Sequence, residues 1–384
     1  TNKIVPEAMP AKKFDELLKK HKIKCPSCKK ELSGVEMFNL MVPSPVGPGN
    51  EDEAYLRPET CQSIFLDFNR IFKIGRVELP VGIAQSGRAF RNEISPRNAI
   101  HRVREVSQMD VEVFFNPTEE KNFDKEKFSE IENFKLRLCT DKSVKDITCK
   151  QAVKDKLFSK MVAYYLALES QFVEQLGIPR KNIRLRKLDD DEKAFYAKLA
   201  YDLEIKTSLG WSEVAANNYR TNHDLKGHQK ASNQKLEVSI DGKKVLPWIW
   251  EMSMGLDRLL LAVVDNNYFE EEVKGDKRVL LKFPPRIAPI QVAIFPLVKK
   301  DGLKEKAWEV YKQLSGCYSC FFDKSGSIGK RYRRMDEIGT PYCVTIDYDT
   351  KKDDTVTVRS RDSMEQERIK ISELNNWLWD KIFC

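Results

Sequence analysis

A charged segment that reads as strand, loop and strand at residues 81–115 most constrains the fold of this chain. Two apolar stretches flank an arginine-bearing loop, and the first stretch ends in Phe90-Arg91-Asn92-Glu93. Because side chains alternate along a strand, Arg91 and Glu93 would share one face. The Arg91 guanidinium suits phosphate oxygens, and the Glu93 carboxylate can accept a hydrogen bond from an amine such as adenine N6. The segment therefore predicts either a nucleotide-binding site on an antiparallel pair of strands or a basic hairpin with a solvated tip.

Three further blocks accompany this segment. They read Tyr55-Leu-Arg-Pro-Glu-Thr-Cys-Gln-Ser-Ile-Phe65, Gly210-Trp-Ser-Glu213 with 220–228, and Pro247-Trp-Ile-Trp-Glu-Met-Ser-Met-Gly-Leu-Asp-Arg258. Residues 81–115 resemble motif 2 of class II aminoacyl-tRNA synthetases, and residues 247–264 resemble motif 3. The ordered set resembles the glycyl-tRNA synthetase family of the α2 type, from about Cys25 to the C-terminus, and four ordered blocks are more specific than any one motif.

The resemblance implies an α+β catalytic domain with the antiparallel class II synthetase sheet, followed by a C-terminal α/β anticodon-binding domain with a mixed sheet. We place the first part of the catalytic core at 1–117, a helical insertion or elaboration of the core at 118–200, the second part of the core at 201–283 and the anticodon-binding domain at 284–384. Apolar residues at helical spacing, such as Phe128, Ile131, Phe134 and Leu138, suggest the helical character of 118–200. After Pro284-Pro-Arg286, predicted strands and helices alternate, as in a small α/β domain.

The resemblance also implies a function, that of a glycine–tRNA ligase. Such an enzyme activates glycine with ATP to glycyl-adenylate and then transfers glycine to the 3′ end of tRNA(Gly). The implied catalytic residues are Arg91 and Arg258. The implied ATP-binding residues are Arg91, Glu93, Arg102, Arg104, Val106 and Arg258. We expect Mg²⁺ as a cofactor because the ATP phosphates carry more charge than two arginines neutralise. A homodimer is implied by the resemblance alone.

The implied glycine-binding residues include three carboxylates. The set comprises Glu59, Asp110, Arg220, Glu251 and Ser253. Three acids around a small cavity suit a ligand that presents an ammonium group and almost no side chain, and an added methyl group would clash in a filled site. No editing domain is then needed. The alternative for these acids is ordinary ion pairing with Arg57, Arg88 and Arg220.

Several positions depart from the family pattern. Val106 stands where an aromatic ring is usual, Asp110 stands where a glutamate is usual, and Cys61-Gln62-Ser63 replaces an Ala-Gln-Gly run. Each departure leaves the charged groups of the motifs in place, so we expect an active enzyme. Nothing in residues 1–24 matches motif 1, and we therefore expect that an N-terminal stretch of the protein is missing from this chain.

The chain contains 9 cysteines, too few for a disulfide framework at this length, which favours a reducing compartment. Cys25-Pro-Ser-Cys28 has the spacing of half a zinc knuckle, and His21 is the nearest further ligand. A tetrahedral site needs four ligands, so we favour two free thiols over zinc. We expect a cytoplasmic protein, with a mitochondrial one left open because the natural N-terminus is not visible.

The net charge of +8 suits a polyanion such as tRNA, as well as a mildly basic protein without one. Lys330, Arg331, Arg333 and Arg334 concentrate positive charge near one predicted helix and are candidate tRNA contacts, with an ordinary solvated face as the alternative. No apolar run reaches the ~18–20 residues of a membrane span. Two other functions stay open: a non-catalytic synthetase-like accessory protein that binds nucleic acid, and a class II synthetase for another small amino acid.

Overall fold

The computed structural model describes residues 10–32, 34–36, 38–49, 52–140, 143–273 and 275–384, which form two compact units. The N-terminal unit contains the residues up to 168 together with 183–261, and the C-terminal unit contains 169–182 together with 262–384. Residues 262–283 thus group with the C-terminal unit, whereas the sequence placed them in the catalytic core. Within the described ranges, no helix has the length and apolar character needed to cross a membrane.

The helices and strands of the described residues are named in chain order. The α-helices are α1 (Ala11–Lys20), α2 (Cys61–Gly75), α3 (Lys125–Ile131), α4 (Cys149–Lys154), α5 (Lys160–Gln175), α6 (His223–Ser232), α7 (Leu256–Asn267), α8 (Leu303–Leu314), α9 (Ile328–Ile338), α10 (Thr350–Asp353) and α11 (Ile371–Phe383). The strands are β1 (Val42–Val46), β2 (Asp52–Leu56), β3 (Val81–Phe90), β4 (Glu105–Phe115), β5 (Lys135–Thr140), β6 (Ser143–Thr148), β7 (Ile183–Lys187), β8 (Ala200–Thr207), β9 (Gly210–Thr221), β10 (Val238–Ile240), β11 (Lys243–Val245), β12 (Trp248–Gly255), β13 (Tyr268–Val273), β14 (Asp276–Leu281), β15 (Val292–Pro296), β16 (Cys320–Phe322), β17 (Tyr342–Ile346), β18 (Thr355–Ser360) and β19 (Gln366–Lys370).

An eight-stranded sheet in the order β3-β4-β12-β9-β8-β7-β5-β6 forms the centre of the N-terminal unit. All neighbouring strands are antiparallel except β5 and β7, which are parallel. Helix α2 packs on β4, where the ring of Phe68 stacks on Phe114 with the centroids 4.1 Å apart. Such apolar contacts on one side of α2 bury Ile64, Phe65 and Phe68 and anchor the start of the helix beside the sheet. The expected antiparallel core sheet is confirmed.

The sequence left two alternatives for residues 118–200, a helical insertion or an elaboration of the core, and the structure shows strands of this region in the core sheet. This region supplies β5, β6 and β7 to the central sheet, in addition to α3, α4 and α5. Helix α3 ends at Ile131, and beyond it Leu136 and Leu138 are buried between the more exposed Lys135 and Arg137. This spacing of two is a strand pattern. Phe128 and Ile131 are buried on α3, whereas 134 and 138 continue the helical spacing by coincidence, and pairing with neighbouring strands decides the structure there.

The C-terminal unit contains a five-stranded sheet in the order β16-β15-β17-β18-β19. Strand β15 is parallel to β16 and β17, and the β17–β18 and β18–β19 pairs are antiparallel, so the expected mixed sheet is confirmed. The buried strand β15 carries five buried residues in sequence, as expected where helices cover a sheet. Strand β19 was not predicted because its sequence, Gln-Glu-Arg-Ile-Lys, is polar, which is common on the edge of a sheet.

Candidate active site

Two neighbouring strands carry the acidic residues of the predicted glycine pocket. In the β4–β12 pair, Asp110 lies opposite Ser253, and Glu112 lies opposite Glu251. Because residues two apart on a strand point to the same face, these four side chains project from one side of the sheet. Asp110 and Glu112 have no solvent-exposed area, and Glu251 is 4% exposed. The site therefore has a buried, acid-rich floor.

Asp110 is held by the start of helix α2. Its Oδ2 accepts hydrogen bonds from the backbone N–H of Thr60, at 3.2 Å, and from the Thr60 hydroxyl. Its Oδ1 accepts from Nε2 of Gln108 at 3.1 Å, and the same amide group donates to Oγ of Ser253 at 2.7 Å. A carboxylate is favoured at a helix N-terminus, where backbone N–H groups lack partners within the helix. Asp110 is thus a partnered group that positions α2 against the sheet.

Arg220 and Glu251 form the ionic centre of the floor. Arg220 Nη1 donates to Glu251 Oε1 at 2.5 Å, and Arg220 Nε and Nη2 donate to the Asp224 carboxylate at 2.8 and 2.7 Å. Asn218 Nδ2 donates to the second oxygen of Glu251 at 2.8 Å, and the Tyr196 ring lies 4.1 Å from the guanidinium carbon of Arg220. Burial raises the pKa of Glu251 to about 7, because Arg220 only partly offsets the loss of hydration.

Glu112 is the residue that the sequence reasoning missed. Neither of its carboxylate oxygens has a hydrogen-bond partner. Burial, followed by the neighbouring charge of Glu251, raises the pKa of Glu112 well above its usual range. Cys61, the first residue of α2, places its sulfur within 4.8 Å of carboxylate oxygens of both Glu112 and Glu251. Side chains alternate between the two faces of strand β4, so a prediction that Asp110 faces the pocket also places Glu112 on that face. Glu112 could therefore have been identified from the sequence.

Glu59 lies just before α2 and is half-buried. Its Oε1 accepts from Gln62 Nε2 at 2.8 Å, and Gln62 Oε1 lies 2.9 Å from His228 Nε2 on α6. This chain of contacts connects the 210–228 block to the Glu59 segment. The structure therefore brings Asp110, Arg220, Glu251 and Ser253 together on the sheet, with Glu59 on the loop that leads into α2.

The nucleotide segment differs in detail from the extended strand that the sequence suggested. Strand β3 ends at Phe90, and the backbone N–H of Glu93 donates to the Arg91 carbonyl at 2.7 Å, which makes a tight turn. The prediction that Arg91 and Glu93 follow one another along a strand face was wrong. Arg91 is exposed, and its Nε donates to the Pro58 carbonyl at 3.1 Å, so its remaining guanidinium N–H groups face outwards from this contact.

Two further arginines organise the same segment around Glu93. Arg102 Nε donates to Glu93 Oε2 at 2.7 Å, and Arg104 Nε donates to the Glu93 backbone carbonyl at 3.1 Å. Both arginines are exposed. Val106 is half-buried on β4, on the face that also carries Asp110. The segment thus presents exposed guanidinium groups and one aliphatic side chain next to the acid-rich floor.

Arg258 lies in the first turn of α7 and binds two neighbouring segments. Its Nε donates to the His101 carbonyl at 3.1 Å, and its Nη1 donates to the Glu213 carbonyl at 3.0 Å. Its neighbour Asp257 accepts from the Ser107 backbone N–H at 2.6 Å. Burial and the charge of Arg258 lower the pKa of His101. Arg258 therefore joins the motif 3 helix to both β9 and the arginine-rich loop.

The predicted tRNA-binding residues separate into two groups. Arg331 is 3% exposed and donates to the backbone carbonyl of Pro296 at 2.6 Å, so its inclusion in a surface set was wrong. Lys330 and Arg334 are exposed, and Arg333 is half-buried. Arg334 also pairs with the Asp323 carboxylate. The four residues lie on more than one face of α9, because only residues three or four apart share a helix face. The number of basic residues in the segment does not show this.

Cys25 and Cys28 lie in a short hairpin that the Lys24–Glu31 bridge closes. The backbone N–H of Lys29 donates to the Cys25 carbonyl at 3.0 Å. Hydrogen bonds from the backbone of Cys28 and Ser27 lower the pKa of the Cys25 thiol. Among the described residues, the clusters of three or more metal-ligating groups do not include this pair. The choice between free thiols and zinc stays a prediction.

Comparison with known protein families agrees with this site. Residues 46–267 match the tRNA synthetase class II core domain (G, H, P, S and T), and residues 291–381 match the anticodon binding domain. The chain is 40% identical to a glycine–tRNA ligase of Clostridium acetobutylicum over 376 residues, which cover 96% of this chain and 73% of that protein.

Archaeal proteins of the same name are also similar. The chain is 35% identical to a glycine–tRNA ligase of Methanothrix thermoacetophila, with 95% of this chain and 77% of that protein covered. It is 35% identical to a glycine–tRNA ligase of Pyrococcus furiosus, with 98% and 80% covered. The chain belongs to the glycine–tRNA ligase family of class II aminoacyl-tRNA synthetases.

Proposed function

We propose that this chain is a glycine–tRNA ligase that activates glycine with ATP and transfers it to tRNA(Gly). The observation that carries the proposal is the buried acidic floor around Arg220, placed beside the exposed arginines of the 91–104 segment. One region suits an ammonium group and the other suits phosphates. Their adjacency on β3, β4 and β12 fits a reaction that joins an amino acid to a nucleotide.

Glycine is the amino acid that this floor fits best. Its ammonium group would lie among the carboxylates of Glu59 and Glu251 and the hydroxyl of Ser253. Arg220, Asp224 and Tyr196 occupy the adjacent volume, and their mutual contacts hold them there. A β-methyl group would meet these side chains, of which Arg220 and Asp224 are buried, so alanine is excluded by overpacking. Since glycine has no smaller natural competitor, the site needs no second step of editing.

The activation step depends mainly on positioning. A carboxylate oxygen of glycine attacks the α-phosphorus of ATP, the new O–P bond forms, and pyrophosphate leaves. Arg91 would contact both the α-phosphate and the glycine carboxylate, and would thereby stabilise the charge that develops between them. Arg258 would contact the γ-phosphate or the adenine ring, and Glu93 would accept from the adenine amine. Because Arg102 already pairs with Oε2 of Glu93, we assign Oε1 to this contact.

Mg²⁺ fits the same region. The Glu213 carboxylate is 47% exposed and lies 3.5 Å from Arg258 Nη1, which offers an oxygen ligand beside the expected position of the phosphates. When bound, the ion neutralises phosphate charge. Transfer to tRNA would use the C-terminal unit for recognition, with Lys330, Arg333 and Arg334 as proposed contacts. Homodimerisation is part of the proposal by family membership, and the 9 free cysteines fit a cytoplasmic location.

Amino-acid-dependent exchange between ATP and pyrophosphate tests the activation step. Glycine, alanine, serine and proline would be compared with the folded protein and Mg²⁺. Exchange with glycine alone supports the proposal, and faster exchange with another amino acid assigns the chain to that substrate instead. If no amino acid supports exchange, ATP binding by calorimetry decides whether the chain is a non-catalytic accessory protein, which should bind no ATP.

A further inference from the structure

The side chains of Cys61, Glu112 and Glu251 form a buried cluster of metal-ligating groups in the floor of the site. One sulfur and two carboxylate oxygens all lie within 4.8 Å of one another. The three residues are 1%, 0% and 4% exposed. They come from three elements, α2, β4 and β12, so the cluster is produced by the fold and not by a local turn.

The side chain of Glu112 gives an independent indication that this cluster suits a ligand. Both of its oxygens are buried without a hydrogen-bond partner, whereas Asp110 and Glu251 each have partners on both oxygens. An unpartnered buried carboxylate costs several kcal/mol of hydration energy when ionised, so a cation that bound to it would recover that energy. The carboxylate faces the thiol of Cys61, which is a soft ligand and selects thiophilic ions over Mg²⁺.

We propose that Cys61, Glu112 and Glu251 form a binding site for a thiophilic divalent cation, with Zn²⁺ as the best-matched ion. Three protein ligands with a fourth position left for water is the arrangement of an open zinc site. Typical Zn–S and Zn–O lengths of ~2.3 and ~2.0–2.2 Å need small rotations of the three side chains. On binding, the Cys61 thiol and any protonated carboxyl group of Glu112 or Glu251 release their protons to solvent, and the thiolate and carboxylates coordinate the ion with no change of oxidation state.

The charge around the cluster permits a divalent ion. Asp110, Glu112, Asp224 and Glu251 place four buried carboxylates near the buried guanidinium of Arg220. Arg220 opposes the ion, because its Nη1 lies 4.0 Å from the Cys61 sulfur. Arg220 is itself paired with both Asp224 and Glu251, so its charge is compensated before the ion binds.

The site would make the enzyme sensitive to zinc. Glu251 is shared with the pocket proposed for glycine, so a bound ion and glycine would exclude one another. This consequence rests on the proposed function, whereas metal binding itself does not. Free zinc would then act as an inhibitor that competes with glycine.

Cobalt titration tests metal binding directly, since Co²⁺ replaces Zn²⁺ and its thiolate complexes absorb in the near ultraviolet. The whole chain would be used with Cys25→Ser and Cys28→Ser, because that pair could bind metal separately. We expect one equivalent of Co²⁺ with thiolate absorption that Zn²⁺ displaces. Cys61→Ala should remove this signal. Cys149→Ala is the matched control, because Cys149 is also fully buried but lies beside a backbone carbonyl instead of carboxylates.

Two further variants keep the test decisive. If Cys61→Ala does not fold, Cys61→Ser preserves the volume and should also lose the thiolate absorption. Glu112→Gln should lower the affinity for Co²⁺ by at least ~10-fold. This is the smaller end of the loss seen when a residue that hydrogen-bonds to a metal ligand is removed. Absence of the signal in the starting protein, or its full retention in the Cys61 variants, overturns the proposal.

Inhibition by Zn²⁺ is a second readout, measured on glycine-dependent exchange as a fraction of each variant's own metal-free rate. We expect inhibition that rising glycine relieves in the Cys149→Ala control and that is absent in Cys61→Ala. Cobalt binding without competition by glycine would support the metal site and contradict the glycine pocket. Glycine-dependent exchange without Cys61-dependent cobalt binding would support the glycine pocket and contradict the metal site.

Discussion

Each compact unit contains a cluster of buried charged side chains, and the two clusters differ in how their charges are partnered. In the C-terminal unit, Arg278, Arg359 and Arg361 are 1%, 6% and 2% exposed. Arg278 and Arg359 both donate to the Asp336 carboxylate, at distances of 2.9–3.2 Å. Arg361 donates to the Gly339 and Phe283 carbonyls at 2.8 and 2.9 Å. In the N-terminal unit, acids are in excess, and Glu112 has no partner.

This difference separates a structural use of buried charge from a functional one. A closed network, in which every charged group has partners within the protein, stabilises one packing arrangement. An open network contains a buried charged group that has no hydrogen-bond partner within the protein, so a ligand must supply that partner. The burial of a charge is therefore a poor guide to function by itself, and the completeness of its hydrogen bonds is a better one.

The largest expected effect comes from breaking the closed network. Asp336→Ala leaves Arg278 and Arg359 buried without their shared carboxylate, and should lower the free energy of unfolding by about 3–5 kcal/mol. Asp362→Ala is the matched control, because Asp362 pairs with Arg361 but is 57% exposed. It should cost no more than about 1 kcal/mol. Urea unfolding measures both, and equal losses would mean that the Asp336 network is not closed.

The next effect concerns an exposed arginine whose proposed partner is a ligand. Arg91→Ala should lower the rate of glycine-dependent exchange by about 10²–10³-fold, because it removes a donor aimed at developing charge. The free energy of unfolding should stay within about 0.5 kcal/mol of wild type, as for other surface positions. Arg70→Ala is a control, since Arg70 is an exposed arginine on α2 paired with Asp67. Wild-type exchange in Arg91→Ala would refute the role assigned to Arg91.

A third prediction is a gain in the free energy of unfolding, whereas the first prediction is a loss. Glu112→Gln removes a carboxylate that has no partner, so it should raise the free energy of unfolding by about 1 kcal/mol instead of lowering it. The measurement is urea unfolding in the absence of glycine and with a metal chelator, beside Asp336→Ala. A loss comparable to that of Asp336→Ala would show that Glu112 has a structural partner, and the contrast between the two units would fail.

The smallest effect concerns an exposed lysine on α9 that is proposed to contact tRNA. Lys330→Ala should weaken tRNA binding uniformly and reduce the slope of log affinity against log salt by about 0.7–0.9, the contribution of one phosphate contact. Lys312→Ala on α8 is a matched control, because Lys312 is also exposed in the same unit. Filter binding at several salt concentrations measures both. Equal slopes for the two variants would remove Lys330 from the proposed tRNA contacts.

Much of the fold could be predicted from local patterns. The alternation of strands and helices predicted after Pro284-Pro-Arg286 is present in β15, α8, β16, α9 and β17. The prediction failed at β5 and at β19, where strand pairing, and not local preference, decides the structure. The candidate site followed the same division, because motif spacing identified Asp110 and Glu251 but not the state of their hydrogen bonds.

The sequence by itself determined which chemical groups are available: motif arginines, an acid-rich set and a cysteine at position 61. It also determined the family, because four ordered blocks carry more information than any single residue. Only the tertiary structure decided which charges are satisfied. Arg331 and Glu112 show the reason, since one lies against backbone carbonyls and the other against a second carboxylate and a thiol. Hydrogen bonding and desolvation depend on neighbours distant in sequence, and local spacing does not encode them.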